Sequence, residues 1–452
     1  MEVLNAKRSI TADVVNAEAS NVPMGYKQTE VGVIPLDWNC YPVNAVAASQ
    51  RNAIVGGPFG SDLVSKDYVE VGVPVIRGQN MNGRWIQGPY VFVTALKARL
   101  FSANLAHPGD IVFTQRGTLG QVSLVPEQPY DAYLVSQSQM KVTLNRNLID
   151  PIFLFHVFSG SYHQQVISDR TIQTGVPHIN LGILRDIPIQ VPSLPEQRHI
   201  TEVLEDMDEL HWALERLIAK KRAMKFAAMQ QLLSGKTRLP GFSGEWETKR
   251  LGETAEIKTG PFGSALHERD YVAEGTPIIT VEHLGERGVI CTNLPLVSDT
   301  DRARLKAYSL VAGDIVFSRV GSIDRNALIR STEEGWLFSG RLLRVRPDNQ
   351  RISSSYLSYH FHGEQFKARV REVAVGQTMA SLNTVILQGI EIAVPKLAEQ
   401  FAIATVLSDM DAEIAALEAR RDKTHSIKQG MMQQLLTGRI RLVKPQPVEA
   451  DA

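Results

Sequence analysis

The stretch GPFGSDLVSKDYVEVGVPVI (57–76) returns 203 positions later (260 − 57) as GPFGSALHERDYVAEGTPII (260–279). Further matches follow in the same order, at an offset of 203 or 204: GDIVFTQRGTLG (109–120) with GDIVFSRVGSID (313–324), IPIQVPSLPEQ (187–197) with IEIAVPKLAEQ (390–400), and QQLLSGKTRL (230–239) with QQLLTGRIRL (433–442). A repeat of about 200 residues is too long for a solenoid and has the size of a domain plus a connector. The sequence therefore predicts one such unit, used twice.

The composition limits the class of protein. The chain has 452 residues, and its 48 basic and 48 acidic side chains cancel, so any surface that binds an anion must be local. Cys40 and Cys291 are too few for a disulfide framework or a zinc site, and we expect no metal in this chain. The opening MEVLNAKRSI lacks the apolar stretch of a secretory signal, and no run approaches the roughly 18 apolar residues of a membrane span. We therefore expect a cytoplasmic protein without a membrane partner.

Each repeat begins with a globular part, at 24–192 and 240–395. The runs YVEVGVPVI, DIVFTQ and IPIQVP alternate or are rich in β-branched residues, which predicts short strands. RTIQTG and NMNG have the composition of loops, whereas PIFLFHVFSGSYHQQVI (151–167) is more typical of a helix. This mixture predicts an α+β fold for the globular part.

Each repeat ends in a segment with helical periodicity, at about 195–234 and 398–437. Apolar residues recur every three or four positions along both segments, which predicts one apolar stripe on a long helix. SLPE (193–196) is typical of a capping box at the start of the first helix. Gly235 and Gly438 stand where a glycine commonly follows the end of a helix.

Charge indicates how the two helices pair. Over 195–214 there are six acidic residues and one basic residue, whereas 215–234 has one acidic and five basic residues. The second helix runs from four acidic and no basic residues over 398–417 to two acidic and four basic residues over 418–437. Antiparallel alignment sets acid against base along the whole length, whereas parallel alignment sets like charges together. Rather than helices packed separately on their own domains, we expect an antiparallel coiled coil with a pseudo-two-fold axis and a globular part at each end.

Three loops in each copy have the chemistry of a recognition surface. GPFGS is either a structural turn anchored by Phe59 and Phe262, or a loop whose glycines let backbone N–H groups approach a phosphate. An arginine after each GDIVF strand either binds a phosphate or a guanine edge or is a solvated loop charge. RGQNMNGRW (77–85) concentrates amides and arginines, which suit base edges, and the second copy has TVEHLGERG (280–288) there. Unless this difference is ordinary loop drift, it fits two surfaces with different targets.

The candidate DNA contacts come from these loops and from TGVPHIN (174–180), with its looser counterpart from Gly376 to Asn383. In the first copy they are Gly57, Gly60, Ser61, Arg77, Gln79, Asn80, Asn82, Arg84, Gln115, Arg116, Thr118, Thr174, His178 and Asn180. In the second copy they are Gly260, Gly263, Ser264, Glu282, His283, Arg287, Arg319, Ser322 and Asn383.

The candidate catalytic motifs in the sequence are incomplete. SGKT (234–237) resembles the end of a phosphate-binding P-loop, but the motif needs its first glycine where Gln230 stands, and a helix precedes it. His360 and His362 have no carboxylate or cysteine cluster beside them in the sequence, which argues against metal ligands. We find no glycine-rich nucleotide fingerprint, no Asn-Pro-Pro-aromatic methyltransferase motif and no nucleophile elbow. We expect no catalytic residue and no bound cofactor in this chain.

In their order and duplication, GPFGS, GDIVFTQRG, TGVPHINL and IPIQVPSLPEQRHI running into a long helix resemble the specificity (S) subunits of type I restriction–modification systems. The resemblance extends from about Gly25 to Leu442 and is weaker where TGVPHIN becomes GQTMASLN. It implies a subunit without catalysis of its own, whose two target-recognition domains each bind one half of a bipartite sequence in double-stranded DNA. The paired helices would be the spacer for the gap and the docking site for two modification subunits.

The same resemblance implies that partner subunits hold the cofactors. S-adenosylmethionine would be bound by the modification subunits that methylate adenine, and ATP and Mg²⁺ would be used by restriction (translocase) subunits. The implied segments are an N-terminal arm (1–23), target-recognition domain 1 (24–192), spacer helix 1 (193–239), target-recognition domain 2 (240–395), spacer helix 2 (396–442) and a C-terminal tail (443–452). Two alternatives remain: a coiled-coil adaptor with two ligand-binding heads that does not bind DNA, and the DNA-binding chain of a related single-polypeptide restriction enzyme.

Overall fold

The computed structural model describes residues 22–173, 175–261, 266, 268–374 and 381–444. The chain divides into two compact units, one formed by the residues up to Ala213 together with those from Asp422 onward, the other by Leu214–Arg421. Each unit combines one globular copy of the repeat with part of each long helix. Within the described residues, no helix has the length and hydrophobicity needed to cross a membrane.

Short strands and helices make up the globular part of the first unit. Its strands are β1 (Tyr26–Thr29), β2 (Gly32–Pro35), β3 (Asn39–Pro42), β4 (Ile54–Gly56), β5 (Tyr68–Val69), β6 (Val73–Ile76), β7 (Val91–Val93), β8 (Leu105–Ala106), β9 (Ile111–Thr114), β10 (Val122–Leu124), β11 (Tyr133–Val135), β12 (Gln139–Val142) and β13 (Pro188–Val191). Its helices are α1 (Val43–Val46), α2 (Ala95–Leu100), α3 (Pro151–Ser159), α4 (Ser161–Asp169) and α5 (Leu181–Arg185), followed by the long helix α6 (Leu194–Leu232).

The described strands of the first unit form two main sheets. One is antiparallel with the order β10-β9-β12-β4, and the other has the order β5-β7-β6-β11-β8, in which β6 and β11 are parallel. Every residue of β9 and β12 is buried, and Phe113 of β9 packs edge-on against Phe158 of α3 with 4.7 Å between ring centroids. The helix predicted over 151–167 is two helices, because the backbone is extended at Gly160.

The second unit repeats this arrangement. Its strands are β14 (Glu247–Arg250), β15 (Ala255–Thr259), β16 (Tyr271–Val272), β17 (Thr276–Ile279), β18 (Leu284–Gly285), β19 (Gly288–Val289), β20 (Leu296–Val297), β21 (Ile315–Ser318), β22 (Asn326–Leu328), β23 (Leu337–Phe338), β24 (Leu342–Pro347) and β25 (Glu391–Val394). Its helices are α7 (Leu251–Thr254), α8 (Asp299–Arg304), α9 (Ser354–His362), α10 (Glu364–Val373) and α11 (Thr384–Gly389), followed by the long helix α12 (Leu397–Leu435).

The two main sheets of the second unit have the same strand order as those of the first, apart from one edge strand. The order β22-β21-β24-β15 corresponds to β10-β9-β12-β4. The order β16-β20-β17-β23 corresponds to β5-β7-β6-β11, again with one parallel pair, and the fifth strand β8 belongs to the first unit's sheet. Phe317 of β21 packs edge-on against Phe361 of α9, as Phe113 packs against Phe158. The predictions of an α+β fold and of an internal repeat are confirmed.

The long helices also match their predicted bounds. Buried or half-buried positions recur along α6 at steps of four and three: Ile200, Leu204, Met207, His211, Leu214, Ile218, Lys221, Lys225, Ala228 and Leu232. This is the heptad spacing of a coiled coil, although several positions carry polar side chains. Gly235 and Gly438 both have φ +69°, the left-handed conformation expected of a glycine after a helix.

Ion pairs show the direction of the pairing within each unit. In the first unit Asp208, early in α6, pairs with Lys428, late in α12. In the second unit Lys225, late in α6, pairs with Asp411, early in α12, with 2.7 Å between Nζ and Oδ1. The start of each helix therefore meets the end of the other, and the predicted antiparallel coiled coil is confirmed.

A buried glutamine fixes the start of each long helix. The Gln197 amide donates to the carbonyl oxygens of Leu148 (3.0 Å) and Pro192 (2.8 Å), and its Oε1 accepts from the Asp150 N–H (2.8 Å). Gln400 makes the equivalent three bonds in the second unit. The predicted capping box is wrong, because the Glu196 carboxylate accepts instead from Trp38 and Arg441.

Candidate nucleic-acid interface

The first glycine of each GPFGS loop is required by packing. A Cβ atom at Gly57 would lie 2.1 Å from the Ser136 carbonyl oxygen, and one at Gly260 would lie 2.1 Å from that of Ser339. The Gly57 N–H donates to the Gln139 carbonyl oxygen at 3.0 Å, so it already has a partner inside the protein, as does the Gly260 N–H. These contacts explain why both copies keep this glycine.

Phe59 and Gly60 of the first GPFGS loop are exposed. Phe59 is 66% exposed, so the alternative of a turn anchored by a buried phenylalanine is wrong for the first copy. Gly60 is exposed with φ +59°, and Ser61 follows it in the short 3-10 turn Gly60–Asp62. Phe262, Gly263, Ser264 and, elsewhere, Thr174 lie outside the described residues.

The turn after β9 meets the segment that leads into α5. Arg116 and His178 form an antiparallel β-bridge, and the Ile179 N–H donates to the Gln115 carbonyl oxygen at 3.1 Å. Gln115 is buried, whereas the side chains of Arg116 and Thr118 are exposed. Asn180 caps α5, because its Oδ1 accepts from the Ile183 N–H at 2.9 Å. The structure therefore brings these predicted residues of the first copy together where the turn after β9 meets the segment before α5, a contact that we call the junction.

The second unit has the same junction. The Leu382 N–H donates to the Arg319 carbonyl oxygen at 2.8 Å, and the Arg319 Nε–H donates back to the Leu382 carbonyl oxygen at 3.1 Å. Asn383 caps α11 through the Ile386 N–H at 2.8 Å, as Asn180 caps α5. Ser322 is exposed in the turn that follows Arg319.

Two of the predicted base-contacting side chains are buried inside their own loops. Asn80 Oδ1 accepts from the Arg77 N–H at 3.0 Å, and its amide donates to the carbonyl oxygens of Gln87 and Pro89, each at 2.9 Å. His283 occupies the equivalent position, where its Nδ1 accepts from the Thr280 N–H at 3.1 Å. Both side chains stabilise the 3-10 turn that displays their neighbours, and their contact with a base stays a prediction.

The neighbours of Asn80 face solvent. Gln79 and Asn82 are exposed, and Asn82 donates to the Gln79 carbonyl oxygen at 3.0 Å, which keeps the loop tip closed. Arg77 is half-buried, with its guanidinium carbon 6.0 Å from the centre of the Tyr68 ring. In the second copy Glu282 is exposed and accepts from the Thr280 hydroxyl at 2.9 Å. The amides of one loop thus correspond to a carboxylate in the other.

Arg84 and Arg287 occupy equivalent positions, and each pairs with a glutamate on a long helix. Arg84 Nη1 lies 2.7 Å from Glu205 Oε1 on α6, and Arg287 Nη2 lies 2.7 Å from Glu418 Oε2 on α12. Burial opposes the charge on Glu418, but Arg287 and Arg222 outweigh it and lower the pKa of that carboxyl. These two arginines connect the loops 77–85 and 280–288, which we call the variable loops, to the long helices. Their contact with a base stays a prediction.

The histidines weighed as metal ligands, His360 and His362, are half-buried near the end of α9. Burial lowers the pKa of His360 and of His362 to about 4, so both are neutral at neutral pH. The described residues contain no group of three histidine, cysteine or acidic side chains placed to hold a metal ion.

Sequence reasoning missed the side chains that connect the starts of the long helices to the globular parts and to the segments that follow the helices. Gln197, Arg238 and Arg441 are examples, and each has an equivalent of the same type in the other copy. The repeat carried this signal, since the matches IPIQVPSLPEQ and QQLLSGKTRL include these glutamines and arginines. A polar residue kept in both copies while its neighbours change indicates a contact that both copies need.

Comparison with known proteins places the chain in a family. The model described as "Type I restriction modification DNA specificity domain" matches residues 61–221 and 243–424. Over 322 residues the chain is 24% identical to the type I restriction enzyme MjaVIII specificity subunit of Methanocaldococcus jannaschii, which covers 68% of this chain and 75% of that protein. It is also 24% identical over 432 residues to the StySPI specificity subunit of Salmonella potsdam, with 90% of each covered.

Solved structures share the fold. The S subunit of the type I restriction–modification system of M. genitalium matches 88% of this chain and 96% of its own, at 16% identity and a TM-score of 0.54. A chain from a structure of a type I R-M system, titled for its complex assembly and conformational transition, matches 90% of this chain and 99% of its own, at 19% identity and a TM-score of 0.57. Because the family model matches most of the chain, with one match in each repeat, this chain belongs to the type I restriction–modification specificity subunit family.

Proposed function

We propose that the chain recognises DNA for a type I restriction–modification complex, with each globular domain binding one half of a bipartite target. The observation that carries the proposal is the duplicated junction, where the turn after β9 or β21 meets the segment before α5 or α11. Each junction places an arginine, Arg116 or Arg319, beside a capped helix. An arginine can donate two hydrogen bonds to the O6 and N7 atoms of guanine, or bind a phosphate.

The difference between the variable loops supports two different half-sites. The first domain exposes the amides of Gln79 and Asn82, and the second exposes the carboxylates of Glu282 and Glu286. Amides pair with the N6 and N7 atoms of adenine, whereas carboxylates accept from the N4 amine of cytosine. The shared scaffold would hold the DNA, and these loops would distinguish the bases.

The paired helices suit the roles of spacer and docking site. Trp212 in the first unit and Phe226 in the second are 65% and 51% exposed, although both lie on α6, which is already paired with α12. Large apolar side chains exposed on a paired helix suit a further partner. The partners we propose are two modification subunits, which bind S-adenosylmethionine and methylate adenine, and restriction subunits that use ATP and Mg²⁺. This chain would act without catalysis of its own, in the cytoplasm.

The charge balance indicates that these partners are needed for tight binding. Residues 24–192 carry 12 basic and 11 acidic side chains, and residues 240–395 carry 18 and 19. Nonspecific affinity for DNA comes mostly from neutralised phosphates, so near-neutral domains bind weakly alone. We propose that modification subunits surround the duplex and supply the missing positive charge.

The test is adenine methylation mapped across DNA treated with the full chain and its modification subunits. We expect methylation at one bipartite sequence with a fixed gap, and DNA binding by the complex that weakens as salt rises. Arg116→Ala should relax recognition in one half-site and Arg319→Ala in the other. If the complex does not bind DNA at any salt concentration, the chain is an adaptor of another kind.

A further inference from the structure

A buried ion cluster joins the start of α6 to the segment that follows α12 in the first unit. Glu196, at the start of α6, accepts from Trp38 Nε1–H at 2.9 Å and from two nitrogens of Arg441. Arg441 lies six residues beyond the end of α12 and also donates to both oxygens of Asp37, at 2.9 and 2.8 Å. We call these four residues the Glu196 cluster. It connects the start of one helix to the segment that follows the other.

The second unit has the equivalent cluster. Glu399, at the start of α12, accepts from Nε and Nη2 of Arg238, each at 2.5 Å. Arg238 lies six residues beyond the end of α6, and its guanidinium carbon is 5.5 Å from the centre of the Trp246 ring. The guanidinium of Arg441 lies 5.7 Å from the Trp38 ring in the same way. We call Glu399, Arg238 and Trp246 the Glu399 cluster.

Both glutamate side chains are deeply buried, and each has an arginine partner. The side chain of Glu196 is 1% exposed and that of Glu399 is 2% exposed. A carboxylate at such a position is stable only while charged and hydrogen-bonded partners reach it, and displacing the arginine leaves an uncompensated charge. The bidentate geometry adds direction, because a guanidinium fits a carboxylate in a narrow range of positions.

The heptad spacing of the apolar seam does not by itself select one register. A heptad pattern superimposes on itself after seven residues, which is a slide of about 10 Å at 1.5 Å per residue. A slide of this size would set Lys225 opposite Glu418 instead of Asp411, and Lys428 opposite Glu215 instead of Asp208, so opposite charges would still meet. The Glu196 and Glu399 clusters have no such alternative, because Arg441 and Arg238 are also held against a tryptophan of the globular part.

We propose that the pairs Glu196–Arg441 and Glu399–Arg238 are positioning pairs that fix the axial register of α6 against α12. The inference rests on the proposed function in one respect, since a single register is what would give the recognition domains one spacing on DNA. Neither pair is proposed to contact DNA. They act through the helices, and they make the gap in the target a property of the fold.

The register can be measured on the full chain without DNA. Spin labels at Glu202→Cys and Ser426→Cys, both exposed positions of the first unit, report the axial offset of α6 and α12 by electron–electron distance, once Cys40 and Cys291 are replaced. Because each cluster is proposed to hold the register, the decisive variant replaces both: Glu196→Leu and Glu399→Leu together with Arg441→Met and Arg238→Met. Apolar replacement of a buried ion pair usually keeps a protein folded.

We expect one distance in the parent chain and a second population in the decisive variant, displaced along the axis by about 10 Å. A matched control, Glu215→Leu with Arg421→Met, removes an ion pair within the helix pair and should keep the single distance. A conservative variant, Arg441→Lys with Arg238→Lys, keeps both charges but loses the bidentate geometry and should show a smaller second population. A single unchanged distance in the decisive variant overturns the proposal. The proposal is also overturned if the decisive variant and the conservative lysine variant both unfold, because the clusters would then only stabilise the fold.

A second readout separates this inference from the proposed function. With modification subunits present, the decisive variant should methylate sites with more than one gap length, whereas the control should keep one. If the parent complex methylates no specific sequence, the proposed function fails while the distance measurement still decides the register. If the distances split but the gap stays single, the helices do not set the spacing, and the link to DNA is wrong.

Discussion

Asp411 accepts a hydrogen bond from the Tyr359 hydroxyl at 2.8 Å while it pairs with Lys225. The first unit has the equivalent ion pair, Asp208 with Lys428, but His156 stands where the second unit has Tyr359. His156 is fully buried, and neither ring nitrogen has a hydrogen-bond partner within the described part of the chain. The contact between the long helix and the globular part is therefore hydrogen-bonded in the second unit, whereas in the first unit a histidine without a hydrogen-bond partner among the described residues takes the place of the tyrosine.

Equivalent substitutions to phenylalanine should therefore have opposite effects. Tyr359→Phe removes a hydrogen bond to a charged acceptor and should lower the free energy of unfolding by about 1.5–3 kcal/mol. His156→Phe removes two unpaired ring nitrogens and should leave stability unchanged or raise it, since burying an unsatisfied polar group is unfavourable. Urea unfolding of both variants at neutral pH measures the difference. Equal losses would show that the contact depends on shape alone.

Acid should destabilise the protein below about pH 6.5. Burial lowers the pKa of His156 to about 3 and that of His360 and His362 to about 4, against an unfolded value near 6.5. Between these values the unfolded chain binds protons that the folded chain excludes, so stability present above pH 6.5 is lost as the pH falls toward 4. The loss amounts to at most about 3 kcal/mol for each histidine whose pKa is near 4.

Urea unfolding measured from pH 7 to pH 4 gives the size of this effect. His156→Phe should flatten the pH dependence relative to the parent chain, because one of the titrating groups is gone. An unchanged pH dependence in that variant would show that His156 titrates normally in the folded protein.

The variable loop should separate recognition from folding. Gln79→Ala removes an exposed amide and should weaken discrimination in one half-site only, by roughly 1–3 kcal/mol if it makes a bidentate contact with adenine. Asn80→Ala should instead lower the melting temperature, because it breaks three hydrogen bonds inside the loop. Methylation mapping and thermal unfolding of both variants test the distinction. An equal loss at both half-sites for Gln79→Ala would indicate general unfolding.

A single repeat should form a dimer. In a fragment that ends after Leu239, Lys225 of one copy can pair with Asp208 of the other, as Lys428 does in the full chain. Arg238 can likewise reach Glu196 of the other copy in place of Arg441. With modification subunits, this dimer should direct methylation to a palindromic site.

A fragment that ends at Gly235 is the matched control for the dimer. It keeps the helix but lacks Arg238, and we expect it to dimerise more weakly. Sedimentation of both fragments over a range of concentrations measures the difference. A monomeric Leu239 fragment would contradict self-complementary helices.

The repeat made the architecture predictable, but it did not reveal every role. Helix bounds and antiparallel pairing followed from spacing and charge, which are local properties of the chain. The burial of Asn80 and His283 was not predictable, because residues that suit a base edge also suit a loop's own backbone. Glu196 was assigned to a capping box from its neighbours, whereas its partner Arg441 lies 245 positions away. The contacts missed were those between residues distant in sequence.

Lengthening α6 by four residues between Leu217 and Met224 tests whether the paired helices set the distance between the recognition domains. Four residues add about 6 Å of helix and nearly complete a turn, so the apolar stripe is largely preserved. Lys221 and Arg222 of this segment pair with Glu413 and Glu418 on α12. The four residues should therefore be inserted without replacing or separating Lys221 and Arg222. As a control, the same insertion between Asn349 and Gln350 enlarges an exposed turn and should leave the gap unchanged.

The measurement is the gap in the methylated sequence. DNA rises about 3.4 Å for each base pair along a strand, so lengthening α6 should widen the gap by one or two base pairs while both half-sites keep their sequence. An unchanged gap with full methylation activity would contradict the account, because it would show that the paired helices do not set the distance between the recognition domains.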